Sequence, residues 1–588
     1  MMERRATRLR VLPAAVVLLM LLASAYAQPA SPDYRVRVRL GLLAVDGATG
    51  KGIVVNAWLT ISSPGSGTVT VEPGDLVDKS TTLSTEVAYY LASIIDGVNP
   101  RLYDVDVEFE TNTPVSGPSA SGFIAASSLL ALRGLVPDPN TTMTGMVSLT
   151  GLVLPVAGVA DKVTAAKDYG YARVLLPVTE ISRVPGGIGV VGVCSIEDAA
   201  SQLSRGFLSA PGGAGRTVLF PSIRGEERLF SSYAQEFIEK AVKLLGDVED
   251  PQARMVAEKL ITGARRALEK SPYSAASMAF MALYVLSKDV AEHKGFNYLE
   301  KAIGISLDEA IADANRSVAE HSSRFTNRSL CGLWGYEALA SASARLYLAQ
   351  HAASSEKPDV RALALLRALS AKSWAELADP SLGPLVPCSL LARSAEFMVN
   401  YMQLSYDYLK SVVGRVGFNI PMPDTRSVEA WIRDARQSLR QGNYPLALGL
   451  AVYVVSMLED TLVASSGLPA HCVERHVEFL RGISMSRDAS LPAALLLSYA
   501  EEYGGYVANA TNDTFVKVSL ESDSAVWLIH TLVLKALTAE GRQAVSPAPV
   551  QVDWSSYSLA GIAAEAVVLA VVGYGLAAVS RRAAAEKV

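Results

Sequence analysis

From Tyr34 onward the chain alternates apolar and polar positions in short runs, RVRVRLGLLAV and GKGIVVNAWLTI, separated by Gly, Pro and Asp. Alternation with a period of two predicts strands with one buried face. STEVAYYLASII shifts to helical spacing, LYDVDVEFE returns to a strand, and the loop TNTPVSGP leads into the helical SASGFIAASSLLALRG. A β-type run through MVSLTGLVLPV precedes the helix DKVTAAKDYG. The strands ARVLLPV and GIGVVGV and the helix IEDAASQLSRG complete a segment, residues 34–206, that predicts a single α+β domain.

Residues 207–224, rich in Gly and Pro, predict a linker. Residues 225–540 carry long helical periodicities without strand signals. Within them ARRALEKSPYSAA, from Ala264, and ARQSLRQGNYPLA, from Ala435, share Ala, Arg, Leu, Tyr and Ala in register, each as helix, tight turn and helix. Stacked hairpins of that kind predict an all-α bundle or a solenoid, whose usual use is a protein-binding surface. A second linker, residues 541–556, follows.

The two ends carry membrane signals. MMERRATRLR is basic, Val11 to Ala23 is apolar and Ala25-Tyr26-Ala27 is an A-x-A site, so residues 1–27 predict a secretory signal, cleaved or retained as an anchor. Residues 557–580 predict a transmembrane helix, and Arg581, Arg582 and Lys587 in the tail, residues 581–588, place that tail in the cytoplasm. The intervening chain is then expected on the outer face of the cell membrane. Five N-x-S/T acceptors, at Asn140, Asn315, Asn327, Asn509 and Asn512, agree with export. So do four cysteines, Cys194, Cys331, Cys388 and Cys472, enough for one or two bridges of unspecified pairing. Half the residues are hydrophobic, 19% are charged and the net charge is −5. That balance excludes a nucleic-acid footprint and disorder.

All six histidines, from His293 to His530, lie in the helical region. The α+β domain therefore holds no Ser-His-Asp site of its own. Without a metal, a hydrolytic base there must be a lysine, a carboxylate or a terminal amine, and the lysines are Lys51, Lys79, Lys162 and Lys167. Ser119 stands among Gly117, Pro118 and Ala120 at a predicted helix start, where free peptide N–H groups and the helix dipole suit an oxyanion. Lys162 flanks the apolar stripe Val159, Val163 and Ala166, so its ammonium is a candidate for desolvation, which lowers a lysine pKa. The plain alternatives are a capping serine and a solvated lysine paired with Asp161. In the helical region Cys472 and His476 stand at i, i+4 beside His471, but no third and fourth metal ligand is evident.

Together these residues resemble the Lon-type (S16) serine peptidase domain. Thr113, Pro114, Gly117, Pro118, Ser119 and Ala120 match TP-x-x-GPSA, and MTGMVSLTGLVLPVAGV from Met143 matches the family's next block. Lys162, Ala165, Ala166 and Gly170 match K-x-x-AA-x-x-x-G, 162 − 119 = 43 positions after the serine, as in the family. The resemblance spans residues 34–206 and implies Ser119 as nucleophile, Lys162 as general base and Thr144 as the lysine's holder. It also implies oxyanion donors in the backbone of Gly117, Pro118 and Ala120, no cofactor, and the ring assembly common in the family. Two departures stand out: Ser116 replaces an acidic residue, and AGVADK stands in place of GGLKEK. No G-x-x-x-x-G-K-[ST] occurs, and GATGKG at residues 47 to 52 lacks the final hydroxyl. The architecture thus resembles archaeal membrane-anchored Lon-like proteins without the ATPase module. The expected activity is ATP-independent endopeptidase cleavage of unfolded or flexible exported or membrane proteins. The alternative is a non-catalytic adaptor, the Lon-like domain a scaffold and the helices a binding surface.

Overall fold

The structure is a computed structural model of the 588-residue chain and describes residues 34–207, 226–484, 490–503 and 515–538. The signal segment, nearly all of the first linker, the second linker, the 557–580 span, the tail, Asn509 and Asn512 lie outside the described residues. By its contacts the chain divides into residues 1–542 and 543–588, and the first unit contains both the α+β region and the helices.

The alternating runs form strands β1 (Tyr34–Val45) and β2 (Gly52–Ser63), antiparallel with Leu40 opposite Ala57. With β3 (Val69–Glu72) and β4 (Asp104–Phe109) they make a sheet in the order β1-β2-β4-β3. Val38, Leu40, Leu42, Leu59 and Ile61 are buried. On the other face Arg37 and Arg39 pair with Glu108 and Glu110 in solvent, where such pairs add little. Helix α1 (Lys79–Asp96), capped by Asp78, packs on α2 (Ser121–Leu132), all twelve residues of which are buried. A helix apolar all round belongs inside a core.

The run MVSLTGLVLPV does not form one strand. After β5 (Thr141–Met143) it makes two short strands, β6 (Met146–Val147) and β7 (Val153–Leu154), paired around a turn rich in Ser, Thr and Gly. Helix α3 (Val159–Tyr169) follows, then β8 (Arg173–Pro177), β9 (Gly189–Val193) and α4 (Ile196–Leu203), with β5-β8-β9 a parallel sheet.

Beyond residue 225 the described chain is mostly helical, and both repeats are helix, turn and helix: Pro251–Ala267 with Pro272–Lys294, and Thr425–Arg440 with Tyr444–Ser466. The sequence reading missed one ribbon, Leu330–Gly332 paired with Leu385–Pro387. Three residues are too few for alternation to register, and the ribbon lies beside a Cys331–Cys388 disulfide. Tyr444–Ser466 is the one helix among the described residues long and apolar enough to cross a membrane. Most of it is buried, and it packs against helices Cys388–Val412 and Phe515–Thr538, so its hydrophobicity serves the interior.

Candidate active site

Ser119 lies in the turn that leads into α2, two residues before the helix begins. Gly117 shapes that turn with φ +102°, a conformation glycine adopts without strain. Its N–H donates to Ser80 Oγ (3.1 Å) and its carbonyl accepts from Thr81 Oγ1 (3.2 Å), so the start of α1 holds the turn. Ser121 Oγ donates to the Pro118 carbonyl (2.7 Å) and accepts from the Val147 N–H (2.9 Å). These bonds bear on which N–H groups of the turn are open. Gly117 is already engaged and Pro118 has no N–H, whereas the N–H groups of Ser119 and Ala120 have no acceptor among the described residues.

Lys162 sits in the first turn of α3 and is 4% exposed, buried with Val159, Val163 and Ala166. Burial among apolar groups lowers its pKa from 10.5 to about 8. The pairing with Asp161 does not form: among the described residues the Lys162 ammonium makes no ion pair. Its Nζ donates instead to Thr144 Oγ1 at 3.5 Å, and that hydroxyl donates to the Ser119 carbonyl at 3.1 Å. Thr144 is fully buried, and its own N–H donates to the Leu175 carbonyl (3.1 Å). Ser119 Oγ and Lys162 Nζ are not hydrogen-bonded to each other. Thr144 links Lys162 Nζ to the Ser119 backbone, through its carbonyl.

Two glycines set the depth of α3. Gly158, its N-cap, has φ +68°, and a Cβ there would fall 2.6 Å from Val45 Cγ2. Gly52 lies under the first turn, where a Cβ would fall 1.9 Å from the Asp161 carbonyl oxygen. We expect Gly52→Val to push α3 outward and destabilise the fold by about 1–3 kcal/mol. Thermal melts and a pH titration of Lys162 check this, and an unchanged lysine pKa would show that α3 had not moved.

The helices contribute contacts that no local pattern announced. Glu459, fully buried on helix Tyr444–Ser466, accepts from Ser148 Oγ (2.8 Å), the Leu149 N–H (2.8 Å) and Thr150 Oγ1 (2.6 Å) in the β6–β7 turn. Burial pushes its carboxyl pKa up, against the pull of these three donors and of His476. Tyr401 and Tyr408 donate to the carbonyls of Leu149 (2.7 Å) and Val147 (2.8 Å). His476 faces acceptors on both ring nitrogens, Glu197 Oε1 at 2.9 Å and the Thr150 carbonyl at 3.0 Å, so the geometry calls for an imidazolium. Burial opposes that charge, but Glu197 and the Thr150 carbonyl outweigh it and the His476 pKa is raised.

The pairing His476 makes, together with a Cys194–Cys472 disulfide, removes the suggested Cys472–His476 metal pair. His471 Nε2 lies 3.7 Å from Cys472 Sγ, but that sulfur and the sulfur of Cys194 are consumed by the bridge.

Residues 34–188 match the Lon protease (S16) C-terminal proteolytic domain. The chain is 33% identical over 110 residues to Lon protease 2 of Bacillus subtilis, covering 18% of this chain and 20% of the relative. It is 39% identical over 162 residues to Lon protease of Methylocella silvestris, covering 25% and 20%. To Lon protease of Methanosarcina barkeri it is 37% identical over 118 residues, covering 19% and 15%. The chain thus spans about a fifth or less of the length of these relatives, and the helical region lies beyond residues 34–188 of the family match.

Proposed function

We propose that this chain is a serine endopeptidase with Ser119 as nucleophile and Lys162 as general base. The observation that carries the reading is a buried lysine that pairs with no carboxylate among the described residues and is joined through Thr144 to the backbone of Ser119. At pKa about 8 a useful fraction of the amine is neutral near pH 7. In the reaction Ser119 Oγ bonds to the scissile carbonyl carbon as its proton passes to Lys162 Nζ. The N–H groups of Ser119 and Ala120 take up the oxyanion. Lys162 then gives its proton to the departing amine, and the C–N bond breaks to leave an acyl-serine. Water, deprotonated by Lys162, cleaves that ester and restores the serine.

The substrates we propose are unfolded or flexible segments of exported or membrane proteins, met on the outer face of the membrane without ATP. Two disulfides suit an oxidising compartment. The test is hydrolysis of casein by wild type and Ser119→Ala, with fluorophosphonate labelling of the serine. We expect labelling at Ser119 and loss of hydrolysis in the variant. Undiminished cleavage by Ser119→Ala would remove the peptidase reading, and an unlabelled, inactive wild type would favour the adaptor.

A further inference from the structure

Protein interiors are close-packed, with few voids larger than a water molecule. The helical region departs from this with a cavity of about 750 Å³. Its walls are aromatic, with Phe237, Tyr273, Phe280, Trp374, Tyr453 and Trp527 among them. It reaches solvent at Phe515, a lining residue that is more than half exposed.

The charged groups in the wall make contacts of their own. Arg345 donates to the Ser341 carbonyl (3.1 Å) and lies against Trp374. Arg367 donates to Tyr453 Oη (3.1 Å) and lies over the same ring. Asp460 accepts from Ser519 Oγ (2.6 Å), and Asp523 is hydrogen-bonded to Ser456 and faces Arg345. Burial raises both carboxyls, Asp460 to about 9, so near pH 7 the wall leans to the positive charge of its two guanidinium groups, each of which is already donating to the protein. What the wall offers is apolar and aromatic surface.

The cavity's position supplies the occupant. Pro421, in the loop after helix Cys388–Val412, is one of its lining residues. Four residues earlier Gly417 lies against the backbone of Val156 and Ala157, which leads to the Lys162 helix; a Cβ on it would be 3.1 Å from the Ala157 nitrogen. Arg415 pairs with Asp78 and donates to Ser80 Oγ (3.3 Å), the group that holds Gly117. One loop therefore runs from the cavity wall to the supports of both Ser119 and Lys162. Six residues of extended chain separate Pro421 from Arg415, on the order of 20 Å at most.

We propose that this cavity is a substrate exosite, taking apolar and aromatic side chains of an unfolded polypeptide whose downstream or upstream segment reaches Ser119. The inference rests on the peptidase reading for its second half, cleavage, and stands by itself for its first half, binding. It gives the Lon-like domain a way to select chains that expose core residues without an unfolding motor.

The test fills the cavity from half-buried or exposed small positions, with Ser370→Trp and, independently, Ala464→Trp, each checked by thermal melt. Binding of fluorescently labelled casein is read by anisotropy on a Ser119→Ala background, so that no turnover intervenes. Hydrolysis is read in otherwise wild-type chains with casein and with a tetrapeptide too short to span cavity and serine. We expect at least a tenfold loss of casein affinity and a matching rise in KM, with the tetrapeptide kcat/KM unchanged. In peptides carrying a Trp-Leu-Phe cluster, cleavage should peak with the cluster roughly six to ten residues from the cut, the span set by chain reach. Weakened binding in a chain whose wild type cleaves nothing would keep the exosite and remove the peptidase reading. Unchanged binding and KM in both folded variants, or an uncharged apolar fluorophore such as Nile red that binds the wild type, is lost from both Trp variants and is not displaced by casein, overturns the exosite.

Discussion

Lys162→Met is expected to inactivate the enzyme and stabilise it. Methionine fills the same apolar slot without a charge, and loss of the proposed base should lower kcat by on the order of 10²- to 10⁴-fold. The stability effect follows from the depressed pKa of about 8. Between pH 8 and 10.5 the unfolded chain binds the proton and the folded chain does not, so wild-type stability rises with pH across that window. Below pH 8 the folded state carries the full penalty of a buried ammonium, about 3 kcal/mol for the displacement from 10.5. Lys162→Met should therefore unfold at higher denaturant than wild type at pH 7 and converge with it above pH 10.5. In the wild type, kcat/KM should rise through pH 8 as the amine loses its proton. Lys162→Arg should be inactive throughout, since guanidinium does not deprotonate in this range. A Met variant no more stable at pH 7 than at pH 10.5 relative to wild type would show that Lys162 is not desolvated.

Much of this site was legible because its determinants are local. The Gly117-Pro118-Ser119 turn, the 43-residue interval to Lys162 and the apolar stripe Val159, Val163 and Ala166 are properties of short segments. The β-type run MVSLTGLVLPV does not disclose the β6–β7 hairpin, because each of its strands is only two residues long. Its turn is stabilised from outside, by a carboxylate 309 to 311 residues away in sequence. Glu459 sits in a helix that reads as ordinary core, and no spacing rule points from it to Ser148. Ser80 and Arg415 were hidden for the same reason: each acts on Gly117 or its support through a fold contact, and each is an unremarkable polar residue in its own segment. Cysteine pairing shows the limit most simply, since Cys194 and Cys472 are 278 residues apart and meet only because α4 and helix Ala470–Ser484 do.

Glu459→Ala is expected to damage stability and catalysis together. The truncation strands two hydroxyls and one N–H in a buried turn, each unpaired group costing about 1–3 kcal/mol, and it leaves a cavity. A loss of about 3–5 kcal/mol is expected, the range for breaking a buried charged contact from one side. Glu459→Gln keeps the shape and one acceptor oxygen and should lose less. The consequence for the site runs along the chain. Ser148 is four residues from Thr144, and between them Gly145 donates to the Ser119 carbonyl (2.9 Å) and accepts from the Gly122 N–H (3.0 Å). A loosened hairpin lets Thr144 shift and water reach Lys162. Its pKa then climbs from about 8 toward 10.5, and the rising limb of kcat/KM moves to higher pH. That displacement separates positioning from simple unfolding, which would scale activity down by the folded fraction and leave the limb where it was. Tyr408→Phe, which removes one donor to the Val147 carbonyl, should move the limb in the same direction by less. If Glu459→Gln and Tyr408→Phe both fold and both keep the wild-type pH limb, the helices support the Lon-like domain without tuning Lys162.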